Sequence, residues 1–154
     1  MYSEWQQKVF MKGKFLLYAQ IVLIILLFLF SVPNAIFKSP VISTVFAAGL
    51  LLGIWSLYNL GLDTYTPFPE PKKEGKHVQT GAYKYARHPM YTAVIVIGLA
   101  LFLSSPTLYS AIIYLVLIII LDQKATLEEK YLQNLHPTYK SYAQKTKKFV
   151  PYLY

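Results

Sequence analysis

A chain of 154 residues that is 55% hydrophobic and only 14% charged makes one domain with too few charges for a water-facing surface, where roughly 25% is usual. It has no cysteine, which excludes disulfides and thiol chemistry, and its three histidines (His77, His88, His136) lack metal-ligand spacing, so no metal is expected. The net charge of +8 would suit a nucleic acid or an anionic membrane surface, but the basic residues flank hydrophobic runs, so lipid is the expected partner and nucleic acid is not.

Residues 15–30 are apolar but for Gln20, and residues 41–62 form a longer run with small side chains at Ala47, Ala48, Gly49 and Gly53. A spanning helix needs roughly 20 apolar residues, so both runs are expected to cross a bilayer. The first is expected to be a retained span, because no small-residue cleavage pattern follows it. Gln20, Asn59 and the small residues are expected to serve helix packing. Residues 91–103 and 108–121 are shorter runs on either side of Ser104-Ser105-Pro106-Thr107. They predict a helical hairpin with Pro106 in the first turn of its second helix. That helix is expected to continue through residues 122–135, where Leu127, Tyr131, Leu132 and Leu135 recur among charges, until His136-Pro137 breaks it. This last stretch should lie on the membrane surface or close over the mouth of the bundle. Tyr139, Tyr142, Phe149, Tyr152 and Tyr154 are expected in an interfacial aromatic belt.

Charge placement sets the topology. Lys8, Lys12 and Lys14 precede the first span, Lys38 alone follows it, and Lys72, Lys73, Lys76, Lys84 and Arg87 fill the next loop. The hairpin turn has no basic residue, and six lysines follow Leu121. About four spans with both termini inside put every basic residue but Lys38 on the cytosolic side, as the positive-inside rule requires. The fold class predicted is therefore all-α: a multi-pass membrane bundle of about four transmembrane helices, including a C-terminal hairpin, plus a cytosolic C-terminal helix. The membrane would be the plasma membrane in a bacterium and the endoplasmic reticulum in a eukaryote.

The loop 63–88 is long for a compact domain, and such loops are usually functional or disordered. It carries Pro67, Pro69 and Pro71, then a charged stretch, then an aromatic segment that runs straight into a span. Arg87-His88-Pro89 has a purely structural reading, with Pro89 in a first helical turn, His88 near the cap and Arg87 as a snorkelling anchor. Glu128-Glu129 has one too, because Lys124 and Glu128 are four apart, a surface pair worth roughly 0.3–0.5 kcal/mol.

Taken in order, these segments resemble a superfamily of integral membrane methyltransferases that includes isoprenylcysteine carboxyl methyltransferase and the phospholipid N-methyltransferases. The resemblance runs from about Leu60 to Pro151. It begins with Thr66-Pro67-Phe68-Pro69, Gly81-Ala82-Tyr83 and Arg87-His88-Pro89-Met90-Tyr91. After the hairpin come Glu128-Glu129 with Leu132, then Tyr139, Tyr142 and the closing Phe149-Val150-Pro151. It implies a cofactor-binding catalytic half in 63–154, which the two N-terminal spans in 1–62 complete as one domain.

The resemblance also implies S-adenosylmethionine as cofactor. The cofactor's carboxylate would meet Arg87, His88 and amides at the start of the third span, and its ammonium would meet Glu128. Its sulfonium would face Tyr83 and Tyr91, while Lys76, His77 and Val78 run along the nucleoside. Gly81, Pro89 and Met90 complete the expected cofactor-binding set, and Glu129 reads either as a second acceptor or as a solvated carboxylate. The methyl acceptor would be lipophilic, a carboxylate, amine or thiol, so a membrane lipid or lipophilic small molecule is the expected substrate. No catalytic residue is fixed; His88, Tyr91 and Glu129 are candidates to take a proton from an amine or thiol. In the isoprenylcysteine enzymes an arginine one turn before the glutamate contacts substrate. Lys124 stands there, which keeps the charge but loses bidentate carboxylate recognition. Two other readings stay open: an NADPH-dependent membrane reductase related to the sterol reductases, and a non-catalytic membrane scaffold.

Overall fold

Apolar segments in lipid can satisfy their backbone internally only as helices or closed barrels, and this chain uses helices. The computed structural model describes residues 4–72 and 75–154, with side chains from Phe10 onward. Lys73 and the Lys8 side chain, both part of the charge pattern, lie outside the described residues. Helix α1 spans Glu4–Leu29, α2 is a short piece at Pro33–Lys38, and α3 spans Pro40–Leu60. A 3-10 turn at Gly81–Lys84 leads into α4 (Pro89–Ser104), followed by α5 (Leu108–Leu135) and α6 (Tyr139–Lys145). No strand occurs among the described residues. Phe10–Leu29, Pro40–Leu60 and Leu108–Leu135 are long and apolar enough to cross a membrane. Helix α4 has 16 residues, roughly 24 Å, and falls short of a full span. The chain is thus an all-helical membrane bundle of three full-length candidate spans and one shorter apolar helix.

Burial divides each long helix into two faces. Helix α1 exposes Phe15, Tyr18, Val22, Ile25 and Leu29, and α5 exposes Leu108, Ile112, Leu115 and Ile119. Three- and four-residue spacing puts each set on one helix face, which gives lipid a continuous apolar surface. Inward, Leu27, Ile36, Leu101, Leu117 and Leu121 form the core. Small residues set the closest approach between α3 and α4: a Cβ on Gly49 would stand 2.7 Å from Ile97 Cγ1 and 3.0 Å from the Ile97 amide.

Helices α1 and α5 run antiparallel, with Gln20 opposite Lys124. One end of the bundle therefore gathers the start of α1, the end of α3, the loop 61–88, the start of α4, the end of α5 and α6. Every described lysine and arginine except Lys38 belongs to segments at this end.

Two local expectations are corrected. Thr107, not Pro106, opens α5: its hydroxyl accepts from the Ser110 amide at 3.2 Å while the Ser110 hydroxyl accepts from the Thr107 amide at 2.9 Å. This reciprocal cap satisfies two end groups that a first-turn proline could not, and Pro106 stays outside the helix. The C-terminal aromatics also do not form one belt. Tyr139, Tyr142 and Phe149 are buried, and only Tyr152 and Tyr154 are exposed. The reason is that the tail folds back onto the start of α4. The Arg87 amide donates to the Lys147 carbonyl at 2.8 Å, and the His88 amide donates to that of Lys148 at 3.0 Å. Lys148 is pinned in turn by an ion pair to Asp122 of α5.

Candidate functional site

Pro89 sits in the first turn of α4 and His88 is its cap residue, with no side chain capping the helix. Met90 and Tyr91 lie in the first turn, so their amides have no intrahelical acceptors and carry the positive end of the helix dipole, while Pro89 has no N–H to satisfy. The residues just before them are braced from α5. Arg87 Nε donates to Glu129 Oε1 at 2.7 Å, and one terminal nitrogen of the same guanidinium donates to the Ala143 and Thr146 carbonyls. His88 Nε2 lies 2.9 Å from that Glu129 oxygen, and the imidazole stacks on the Tyr91 ring. Glu129, which the sequence leaves open between a second ligand acceptor and a solvated carboxylate, therefore ties the start of α4 to α5, and Arg87 ties it to α6.

On α5 the residues Lys124, Glu128 and Leu132 recur every four positions and face a cavity of about 340 Å³. That volume suits a small molecule. Among the residues expected to bind cofactor, Lys76, His77, Val78 and Tyr83 line it from the loop side. Arg87 and His88 line it just before α4, Met90 and Tyr91 from the first turn of α4, and Lys124 and Glu128 from α5. Gly81, Pro89 and Glu129 do not line it. Gly81 adopts φ +59° against the Asn59 side chain, whose oxygen accepts from the Ala82 amide at 2.8 Å, and a Cβ there would collide with Asn59. Pro89 instead faces a second, apolar groove with Trp55 and Phe149.

The cavity has three chemically distinct parts. Between α4 and α5, Glu128 Oε2 accepts from the Tyr91 hydroxyl at 2.7 Å and lies 3.7 Å from His88 Nδ1. The other Glu128 oxygen makes no hydrogen bond among the described residues. On the α1 side stands Lys124, only 2% exposed, whose ammonium donates to Gln20 Oε1 at 2.7 Å and lies 5.2 Å from the Tyr91 ring centre. Lys124 is therefore a buried cation, not half of a surface pair with Glu128. Gln20 turns out to serve the cavity as well as packing; Leu17 and Ile21 flank it on the same wall.

The third part is aromatic. His77 packs among His136, Tyr139 and Tyr142, with ring centres 5.3, 5.0 and 5.1 Å away. Burial pulls His77 below the usual histidine range, helped by nearby His136. Burial likewise raises Tyr83, helped by Glu128, and Tyr139, helped by Glu129 and Glu128, and pushes Tyr142 up to about 12. These four groups are neutral at pH 7. Sequence reasoning had not placed Tyr139 or Gln20 at the site. A lone polar residue inside an apolar span was the available signal for Gln20.

Fold and cavity together define a multi-pass helical membrane protein with a small-molecule chamber at the basic end of its bundle. Compared with known families, residues 40–139 match the family described as phospholipid methyltransferase, well over half of the chain, and the chain belongs to that family. It is accordingly a membrane methyltransferase. No curated protein and no solved structure gave a significant match. The matched stretch runs from α3 to the first residue of α6 and leaves α1 outside.

Proposed function

We propose that this chain transfers the methyl group of S-adenosylmethionine to a lipophilic acceptor, a carboxylate, amine or thiol, at the cytosolic face of its membrane. The observation that carries the reading is that the start of α4 and Glu128, separated in sequence by the whole hairpin, meet around one cavity. The polar groups there fit the cofactor. Unpaired amides of Met90 and Tyr91, with Arg87 beside them, suit an α-carboxylate. The free oxygen of Glu128 suits an ammonium, and the faces of Tyr83 and Tyr91 suit a cationic sulfur. When bound, the cofactor supplies a methyl group on a sulfonium, open to attack by a nucleophile.

The protein's own part is to hold the two reactants in line and exclude water from between them. The Leu17, Gln20 and Ile21 wall, together with the Lys124 ammonium bonded to Gln20, is where the acceptor sits, reached from lipid between helices. Of the three proton-acceptor candidates, His88 and Tyr91 line the cavity and Glu129 does not. A carboxylate acceptor needs none of them, being ionised already. The basic end of the bundle faces the cytosol under the positive-inside rule, which gives the water-soluble cofactor direct access.

Calorimetry on the protein purified in detergent tests this. S-adenosylhomocysteine is expected to bind, and Glu128→Ala to weaken it at least about tenfold through loss of a charge-assisted bond. Binding of NADPH in its place, or of neither ligand, would overturn the proposal.

A further inference from the structure

Buried polar atoms without partners are uncommon and costly, so two on one wall need a reason. Tyr139 is 2% exposed, and its hydroxyl is buried with no hydrogen-bond partner among the described residues. The same holds for His77 Nε2. The other ring nitrogen of His77 lies 3.1 Å from the Gln79 amide nitrogen, which donates to it, so the ring proton sits on Nε2 and makes that atom a donor. Both rings line the cavity and pack 5.0 Å apart. Missing partners are not general to this cluster: the Tyr142 hydroxyl donates to the Tyr83 carbonyl at 2.5 Å. His77, Tyr139 and Tyr142 carry no charge at neutral pH, which makes this aromatic wall of the cavity a poor receptor for phosphate or carboxylate. It suits a flat, neutral heteroaromatic ring with hydrogen-bonding atoms on its edge.

We infer that Tyr139 and His77 are the specificity-determining pair for the cofactor's base, with the Tyr139 hydroxyl and the His77 Nε2–H hydrogen-bonding the edge of an adenine seated against this aromatic wall of the cavity. The inference rests on the S-adenosylmethionine reading above and adds the residues that read the base. Glu128, which lines the cavity from α5, reads the amino-acid end instead.

Two ligands separate these roles. S-ribosylhomocysteine keeps the amino acid, thioether and ribose of S-adenosylhomocysteine and lacks the base. Affinities for both are measured in detergent, the weaker by competition. The wild-type protein is expected to prefer S-adenosylhomocysteine. Tyr139→Phe and His77→Phe keep a ring in place and remove one polar group each. Each is expected to lose roughly tenfold in affinity for S-adenosylhomocysteine and to bind S-ribosylhomocysteine as the wild type does. Glu128→Ala should weaken both ligands. If the phenylalanine variants bind S-adenosylhomocysteine unchanged, or lose affinity equally for both ligands, the base-reading role is wrong while the methyltransferase reading stands. If the wild type binds neither ligand, both fall. Should Tyr139→Phe fail to fold, His77→Phe decides by the same comparison.

Discussion

Glu128 and Glu129 are neighbours with opposite employments, and the difference is one of helix geometry. Successive residues on a helix point about 100° apart, so Glu128 faces the cavity while Glu129 faces Arg87 and His88. Glu129 is only 15% exposed and accepts from both cationic and imidazole donors. Glu129→Ala leaves the Arg87 guanidinium, itself 14% exposed, with carbonyls alone. Breaking a mostly buried pair from one side costs up to about 3–5 kcal/mol, and the loss should show as a large drop in melting temperature in detergent. Glu128→Ala gives up one charge-assisted bond, from the Tyr91 hydroxyl, and should lower stability by about 1.5–3 kcal/mol, less than Glu129→Ala. Thermal unfolding of the two variants side by side checks the assignment. The reverse ranking would mean that Glu128 is the brace and Glu129 the ligand group.

At the scale of elements, the loop 61–88 works as a strap across the basic end of the bundle. Its Pro69-Glu70 corner presses on α1 so closely that a Cβ on Gly13 would stand 2.5 Å from Glu70 Oε1 and 2.9 Å from Pro69 Cγ. One Glu70 oxygen is buried without a partner among the described residues, and the other has only a 3.4 Å bond from Tyr131. Burial accordingly raises the Glu70 pKa. The folded chain then holds that proton more tightly than the unfolded chain does, so stability falls as pH rises from the ordinary glutamate range, about 4.3, through the raised value. Glu70→Gln keeps the shape and removes the charge. Its melting temperature is expected to exceed that of the wild type at pH 7, with the gap closing toward pH 4; a constant gap would remove Glu70 as its cause. Little of this strap was legible in the sequence. The spans, the hairpin and the proline-led start of α4 were, because apolar run length and proline position act within a few residues. The meeting of Glu70 with Gly13 and the pairing of Ala86 with Lys147 join distant segments that share no periodic pattern. The buried Tyr139 and Tyr142 misled for the same reason: an aromatic residue near a membrane surface suits an interface and a folded-back tail equally well.

Across the whole molecule, the cavity draws its walls from two sources. His77, Glu128 and Tyr139, proposed to hold the cofactor, all fall within residues 40–139, the part that matches the family. Leu17, Gln20 and Ile21 belong to α1, which lies outside that match and closes the opposite wall. Selection of the acceptor is therefore expected to rest on α1 and on the residue it binds, Lys124. A lysine ammonium has three donors, and this one has a single hydrogen bond among the described residues, to Gln20. Such a cation inside an apolar bundle favours an acceptor that brings an anionic group to the same wall. Lys124→Met keeps the stem and removes the charge. Because no ion pair is broken, stability should hold or rise, and S-adenosylhomocysteine affinity should stay within about twofold. Methyl transfer from labelled cofactor into anionic lipids should instead show a Michaelis constant raised by about ten- to a hundredfold, with turnover at saturation much less affected. Unchanged Michaelis constants in Lys124→Met would place the acceptor's polar group elsewhere, and a parallel loss of cofactor affinity would make Lys124 part of the cofactor site.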